Sequence, residues 1–123
     1  MKQNILLSTA SLLLAIFAFM PEKSGLVGHW TFNNPGGQTV SVEFRDDGTF
    51  EAVIPAEQFT VGGQYNLKDD ILSISDSSCG NSYWGTYKET FFTDDSVYST
   101  VIEDSCAGRR SAADKATLIR VKM

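Results

Sequence analysis

The sequence is poor in the side chains that most often bind metals or perform catalysis. It has one histidine, His29, and two cysteines, Cys79 and Cys106. A zinc site needs more nitrogen and sulfur ligands than these three residues supply, and we expect no metal and no cofactor. His29 precedes Trp30 in an extended run, so the two side chains should face opposite ways, with the imidazole outward. No Ser-His-Asp or Cys-His arrangement can be built around an outward histidine, which favours a non-enzymatic protein.

Positive charge is also scarce. The 123 residues include 10 Lys and Arg against 15 Asp and Glu, which gives a formal net charge of −5. An acidic chain lacks the basic surface that nucleic acids require, so we expect no nucleic-acid partner. The hydrophobic fraction of 42% is too high for a disordered protein, and the length is that of one domain.

The only long hydrophobic run is at the N-terminus. After Lys2, residues 5–20 are almost continuously apolar, and Pro21 ends the run. A helix of this length spans about 24 Å, which is short for a bilayer core of about 30 Å. We therefore interpret residues 1–24 as a signal peptide for export to the periplasm or the extracellular space. The side chain two positions before Ala18, the candidate cleavage residue, is large, so a retained membrane anchor is the alternative.

Residues 25–123 lack helical periodicity, and we expect no more than one helical turn there, within residues 112–116. Apolar residues instead alternate with polar ones at the period of a half-buried strand. The alternation predicts eight strands, over residues 26–33, 39–45, 49–54, 61–67, 71–75, 84–92, 96–103 and 115–122.

The connections between these strands are alternately short and long. The short turns contain Asp-Asp pairs at residues 46–47, 69–70 and 94–95, and the long loops cover residues 33–38, 55–60, 76–83 and 104–114. In an up-and-down sheet every second connection lies at the same end, so the turns form one end, the floor, and the loops form the other, the mouth. We therefore predict an all-β, eight-stranded antiparallel up-and-down barrel, whose closure leaves no edge strands. The paired aspartates match no calcium-binding loop, so we interpret them as turn residues.

The two cysteines lie in the third and fourth mouth loops. Both loops follow odd-numbered strands, so the predicted topology brings Cys79 and Cys106 to the same rim. Two cysteines in a small exported domain usually form a disulfide, which we expect here. Two free buried thiols are the alternative if the protein is not exported.

Four residues with polar groups are in phase with clear core residues of their strands: Tyr65, Tyr87, Glu89 and Ser99. They should face the barrel interior, because side chains alternate along a strand with period 2. A carboxylate inside a barrel needs a partner, and Arg120, Tyr65 and Ser99 are the candidates for Glu89. Glu89 could hold a polar group of a ligand; a register shift of one residue and a structural ion pair are the alternatives.

Aromatic residues cluster near the predicted mouth: Phe32, Phe59, Tyr83 and Trp84. Exposed aromatic side chains there could contact a ligand or a partner protein, or they could pack the loops. Arg109, in the last mouth loop, could attract an acidic group, although nearby carboxylates offset its charge.

Several short motifs resemble those of one family. Gly28-His29-Trp30 resembles the Gly-x-Trp signature on the first strand of lipocalins and their relatives, the calycins, and residues 44–50 and 103–109 are similar to small bacterial lipocalin-like domains. The resemblance implies that Trp30 closes the barrel floor and that Arg120 packs across its ring. The chain is shorter than a full lipocalin, and its sequence predicts no helix before the eighth strand. Its predicted strands are short, which implies a small cavity or none.

The sequence and the resemblance together favour an exported binding module for a small apolar or amphipathic molecule at the mouth. The candidate ligand-binding residues are Phe32, Tyr65, Tyr87, Glu89, Ser99 and Arg109. The alternative is a protein-binding module, such as an inhibitor of an extracellular hydrolase, that uses its loops or its N-terminal arm. A cavity above about 300 Å³ favours a small ligand, whereas a filled interior favours recognition at the surface.

Overall fold

The computed structural model describes residues 25–122, so the predicted leader, residues 1–24, lies outside the described part of the chain. Eight strands form a closed antiparallel barrel in which each strand pairs with the next and β8 pairs with β1. This architecture confirms the predicted all-β up-and-down barrel. The strands are β1 (Gly28–Asn33), β2 (Thr39–Phe44), β3 (Thr49–Ile54), β4 (Phe59–Lys68), β5 (Ile71–Asp76), β6 (Gly85–Thr93), β7 (Ser96–Glu103) and β8 (Ala116–Arg120).

The expectation of at most one helical turn was wrong, because a seven-residue helix, α1 (Ala107–Ala113), precedes β8. Local sequence favours it poorly: Gly108 lies in its first turn, and its N-cap, Cys106, makes no side-chain capping bond. Tertiary contacts hold it instead, since Cys106 is in a disulfide and Arg109 is bound to buried carboxylates. A short 3₁₀ turn covers Pro55–Glu57, and no helix among residues 25–122 is long and apolar enough to cross a membrane.

The Asp-Asp turns show why aspartate suits the floor. Asp69 and Asp70 both have positive φ, 52° and 62°, as a two-residue hairpin of type I′ requires. Asp47 instead accepts hydrogen bonds from the backbone N–H of Thr49 at 3.0 Å and from its hydroxyl at 2.6 Å. Both bonds lower the pKa of Asp47 below its ordinary value, and the bond from the Thr49 hydroxyl has the larger effect. The aspartates therefore supply left-handed backbone at one turn and a side-chain acceptor at another.

One face of each strand lies inside the barrel, and together these faces form the core. Its buried apolar residues are Leu26, Trp30, Val42, Phe44, Phe50, Tyr65, Leu72, Ile74, Tyr87, Val97, Ala116 and Leu118. The ring of Tyr65 packs edge-on against Phe44 with 4.9 Å between centroids, and its hydroxyl donates to the Arg45 carbonyl at 2.6 Å. On the outer face, His29 is half-exposed and its Nε2 lies 3.1 Å from the Glu43 carboxylate.

Arg120 and Trp30 close the floor. The guanidinium carbon lies 4.3 Å from the centre of the fully buried indole, within range of a cation–π contact. The same guanidinium donates to the carbonyls of Gly25, Val27 and Asp94 at 2.8–3.1 Å. A methyl group at Gly28, where φ is +132°, would lie 2.6 Å from Arg120 Nη1. Glycine at this position is therefore favoured first by its positive φ and then by the close approach of the arginine.

The mouth holds the two cysteines. The sulfur atoms of Cys79 and Cys106 lie 2.09 Å apart, which is the distance of a disulfide bond. The bond joins the β5–β6 loop to the start of α1, across 27 positions of sequence. The disulfide therefore ties two of the long mouth connections to each other.

We expect thiol titration of the unfolded, unreduced protein to find no free thiol. Reduction should lower the free energy of unfolding by about 3–4 kcal/mol, because a loop of this length loses its cross-link in the unfolded chain. Urea unfolding with and without reductant measures the difference. Two titratable thiols in the unreduced protein would contradict the pairing.

We expect Trp30→Ala to lower the free energy of unfolding by about 3–5 kcal/mol, because it removes a large buried ring and the contact of Arg120 with it. The matched control is Ile119→Ala beside it on β8, where the side chain is 49% exposed. That change should cost less than about 1 kcal/mol. Equal losses in the two variants, measured by urea unfolding, would show that the floor contact adds nothing.

Candidate functional site

The barrel encloses a cavity of about 280 Å³ that opens at the mouth. Its wall is almost entirely apolar, and the residues that form it come from all eight strands, from α1 and from the β5–β6 loop. The apolar lining residues are Phe32, Val40, Val42, Phe44, Phe50, Ala52, Ile54, Phe59, Val61, Leu72, Ile74, Ala112, Ala113, Ala116 and Leu118. The volume is slightly below about 300 Å³, the lower end of the range for small-molecule sites and the value above which we expected a small ligand. The interior is therefore neither filled nor large.

Glu89 is the charged group deepest in this cavity wall. It belongs to β6, is 2% exposed, and lies opposite Ser99 of β7 in the strand register. The Ser99 hydroxyl donates to Glu89 Oε1 at 3.1 Å, while Oε2 is buried and has no hydrogen-bond partner. Of the three partners that the sequence suggested, only Ser99 is used. Tyr65 and Arg120 bond to backbone carbonyls near the floor.

Burial changes the acidity of Glu89. Removal of the carboxylate from water raises its pKa from 4.5 to about 7, and the single hydrogen bond from Ser99 offsets this only in part. The carboxyl group is therefore protonated in mildly acidic solution and becomes charged near neutral pH. A group with such a pKa in an apolar cavity is a candidate binding or proton-exchanging residue.

A buried ionic cluster forms one side of the mouth. Arg109 of α1 donates to Asp104 from Nε at 2.8 Å and from Nη2 at 3.0 Å, and Nη1 lies 3.2 Å from Asp76 at the end of β5. The Asp104 side chain is fully buried, and those of Asp76 and Arg109 are only 3% and 7% exposed. One positive charge faces two negative charges, so the cluster keeps a net negative charge beside the cavity.

Asp104 is the centre of this cluster. It also accepts hydrogen bonds from the Tyr87 hydroxyl and, at 2.9 Å, from the Cys106 backbone N–H. Burial alone would raise the pKa of Asp104, but the bonds from Arg109, Tyr87 and Cys106 together outweigh it and lower the pKa. A Cβ at Gly85 would lie 2.5 Å from the Asp104 carboxyl carbon, so only glycine leaves room for it. The cluster thus ties α1, β6 and β7 together at the mouth.

The structure separates the six predicted ligand-binding residues into two groups. Phe32, Glu89, Ser99 and Arg109 line the cavity. Tyr65 and Tyr87 are buried in the core, but they do not line the cavity, and their hydroxyls bond to Arg45 and Asp104. Burial, and then the hydrogen bond to Asp104, raise the pKa of Tyr87 far above its ordinary value, so its hydroxyl stays protonated.

The aromatic residues near the mouth also differ in their surroundings. Tyr83 packs against Arg109, with the guanidinium carbon 5.7 Å from the ring centre, and its hydroxyl accepts a 2.5 Å bond from the Ser105 N–H. Phe59 lines the cavity entrance and is 46% exposed, and Trp84 is 41% exposed. Tyr83 therefore packs a loop, whereas Phe59 and Trp84 present free surface.

Sequence reasoning missed the two aspartates of the mouth cluster. Asp76 could have been found, because it continues the inward phase of Leu72 and Ile74 on β5. Asp104 could not, because the register between β6 and β7 shifts beside Tyr87. Along β7 the odd-numbered side chains point inward, but after the shift the inward side chain is that of Asp104. The alternation of apolar and polar residues does not predict such a bulge.

No family model matches the sequence, and no curated protein matches it. The described part of the chain contains no group of three or more His, Cys, Asp and Glu side chains that could hold a metal ion. The site is thus defined by its own geometry: a small apolar cavity, one unpaired carboxyl oxygen, and a negatively charged cluster at the entrance.

We expect Glu89→Gln to stabilise the empty barrel at alkaline pH and to change little at low pH. Below pH 4.5 the carboxyl is protonated in both states; between 4.5 and about 7 only the unfolded chain ionises, so stability falls as pH rises. Above about pH 7 the free energy of unfolding of the unaltered protein is lower by on the order of 3 kcal/mol, and it falls no further. Urea unfolding at low, neutral and alkaline pH measures the effect. The control is Glu51→Gln on the outer face of β3, and an equal gain in both variants at alkaline pH would contradict the burial argument.

Proposed function

We propose that this protein is a non-enzymatic binding module that holds one small, largely apolar molecule in the barrel cavity. The observation that carries this proposal is a single one: an apolar cavity of about 280 Å³ with an unpartnered Glu89 carboxyl oxygen in its wall. Apolar walls bind through the hydrophobic effect, and a few polar groups then fix the orientation of the ligand.

The proposal includes a lipocalin-like relationship and export. In support of the first, Trp30, Gly28 and Arg120 interact at the floor as the Gly-x-Trp resemblance implies. In support of the second, Cys79 and Cys106 are at disulfide distance, which is compatible with an oxidising compartment. Neither argument depends on the identity of the ligand.

The second candidate is recognition of a protein partner at the mouth. It is favoured by Phe59 and Trp84, two large aromatic side chains that are 46% and 41% exposed at or near the entrance. Aromatic residues of this kind often anchor protein interfaces. The small-ligand proposal is preferred because Phe59 also lines the cavity, so part of this surface belongs to the entrance itself.

We expect native mass spectrometry of the full protein, purified from its own host, to detect a retained small molecule. Ala116→Leu should abolish retention, because Ala116 lines the cavity and pairs with Ser99 directly beside Glu89. The larger side chain is expected to lower the free energy of unfolding by about 1–3 kcal/mol. Urea unfolding checks that the variant still folds.

The matched control is Thr117→Leu, the same new side chain on the outer face of the same strand, which should leave retention unchanged. A co-purified protein with no small molecule, together with loss of that protein on Trp84→Ala, would favour the second candidate. Undiminished retention of the small molecule in the Ala116→Leu variant would place binding outside the cavity and contradict the proposal.

A further inference from the structure

The unpartnered oxygen of Glu89 specifies what the ligand must supply. Oε2 belongs to a side chain that is 2% exposed, lines the cavity and receives no hydrogen bond in the described structure. Buried acceptors are nearly always hydrogen-bonded in native proteins, so a bound ligand is expected to supply the donor for this oxygen. The adjacent Ser99 hydroxyl donates its hydrogen to Oε1, and its lone pairs can accept a hydrogen bond from another group. When Glu89 is ionised, two acceptors without a donor therefore lie side by side.

The charges around the cavity select among possible donors. Of the described residues that line it, only Asp76 and Arg109 are charged besides Glu89, and these two are bound to each other. Arg109 is also bound to Asp104, so no cation is left to neutralise Glu89 or to receive an anionic ligand. Glu89 lies opposite Ser99 of β7, which pairs in turn with Ala116 of β8, and neither residue is charged. On its other side the backbone N–H of Glu89 donates to the carbonyl of Asp70 at 2.8 Å, and the Asp70 residue is exposed. The site is a negative pocket with apolar walls.

We propose that the ligand is a small apolar molecule with a protonated amine, and that the ammonium group binds to Glu89 Oε2 and the Ser99 hydroxyl. This inference rests on the proposed function and names the class of ligand for it. An ammonium supplies several donors and the missing positive charge, and a charge-assisted hydrogen bond is stronger than a neutral one. A carboxylate ligand is excluded by repulsion, and an alcohol supplies a donor but no charge. The net charge of −5 also favours the approach of cations.

The acidity of Glu89 makes the binding depend on pH. Its pKa of about 7 means that protons compete with the ammonium group for the carboxylate in mildly acidic solution. The affinity for an amine should fall by about tenfold for each pH unit below that value, since only the ionised fraction is competent. The affinity for a neutral alcohol should not fall with it.

The experiment compares three compounds of similar size: 2-phenylethylamine, 2-phenylethanol and 3-phenylpropanoate. Isothermal titration calorimetry at about pH 5 to pH 8 gives their affinities, over a range where the amine stays protonated. Methyl signals of Ala116 and Leu118 in NMR spectra report whether each compound enters the cavity. At alkaline pH we expect the amine to bind at least about tenfold more tightly than the alcohol, and the carboxylate not to bind. At about pH 5 the amine should bind about 100-fold more weakly.

Variants assign the effect to Glu89. Glu89→Gln should abolish both the preference for the amine and the pH dependence, while the alcohol still shifts the cavity methyl signals. Glu51→Gln, which removes the same charge from the outer face, should leave all three affinities unchanged. If the amine preference survives Glu89→Gln, or if the pH profile of the unaltered protein is flat, the inference is wrong.

The remaining outcomes separate this inference from the proposed function. If the alcohol enters the cavity and binds as tightly as the amine, the cavity is a ligand site but the ligand class is wrong. If none of the three compounds shifts the methyl signals of Ala116 and Leu118, the proposed small-ligand function fails, and the inference fails with it.

Discussion

The barrel depends first on the arginine at its floor. Arg120 closes the seam between the first and last strands by pairing with Trp30, and its guanidinium also covers the indole face. Its remaining donors bind the carbonyls of Gly25, Val27 and Asp94, so the N-terminal arm and the β6–β7 turn meet at one side chain. Because a planar guanidinium presents five donors in fixed directions, a lysine could not make this set of contacts.

The two ends of the barrel are closed by different chemistry. At the floor the arginine bonds mainly to backbone carbonyls, and the fully buried Trp30 fills the space beneath it. At the mouth Arg109 bonds to the carboxylates of Asp76, the last residue of β5, and Asp104, in the connection after β7. The disulfide joins the two loops that follow these strands. The ionic cluster holds one side of the mouth and leaves an opening beside Phe59. A rigid floor and a braced but open mouth are what a cavity needs to persist in a barrel of this size.

Most of the fold could be predicted from sequence because successive side chains of a strand point to opposite faces, so the apolar residues mark the inner face. The inward phase of Val97 and Ser99, for example, follows from alternation alone. Helix α1 could not be predicted, since its stability comes from the disulfide and from Arg109 rather than from helix propensity. The cavity could not be predicted either. Its volume depends on how small side chains such as Ala52 and Ala116 meet across a closed barrel, and a strand pattern does not measure that gap.

Under the proposed function, Glu89 would link the stability of the barrel to ligand binding. A buried carboxyl with one free oxygen weakens the empty fold wherever the unfolded chain ionises first, and an apolar side chain in its place would avoid that loss. The floor contacts and the disulfide supply stability through residues other than Glu89, so the barrel can tolerate the unpaired group. A ligand that donates to Oε2 removes the penalty only in the folded state, and therefore shifts the folding equilibrium as it binds. In the proposed binding module, therefore, the residues that stabilise the fold differ from the residue that would select the ligand, and the carboxyl group of Glu89 would couple the two.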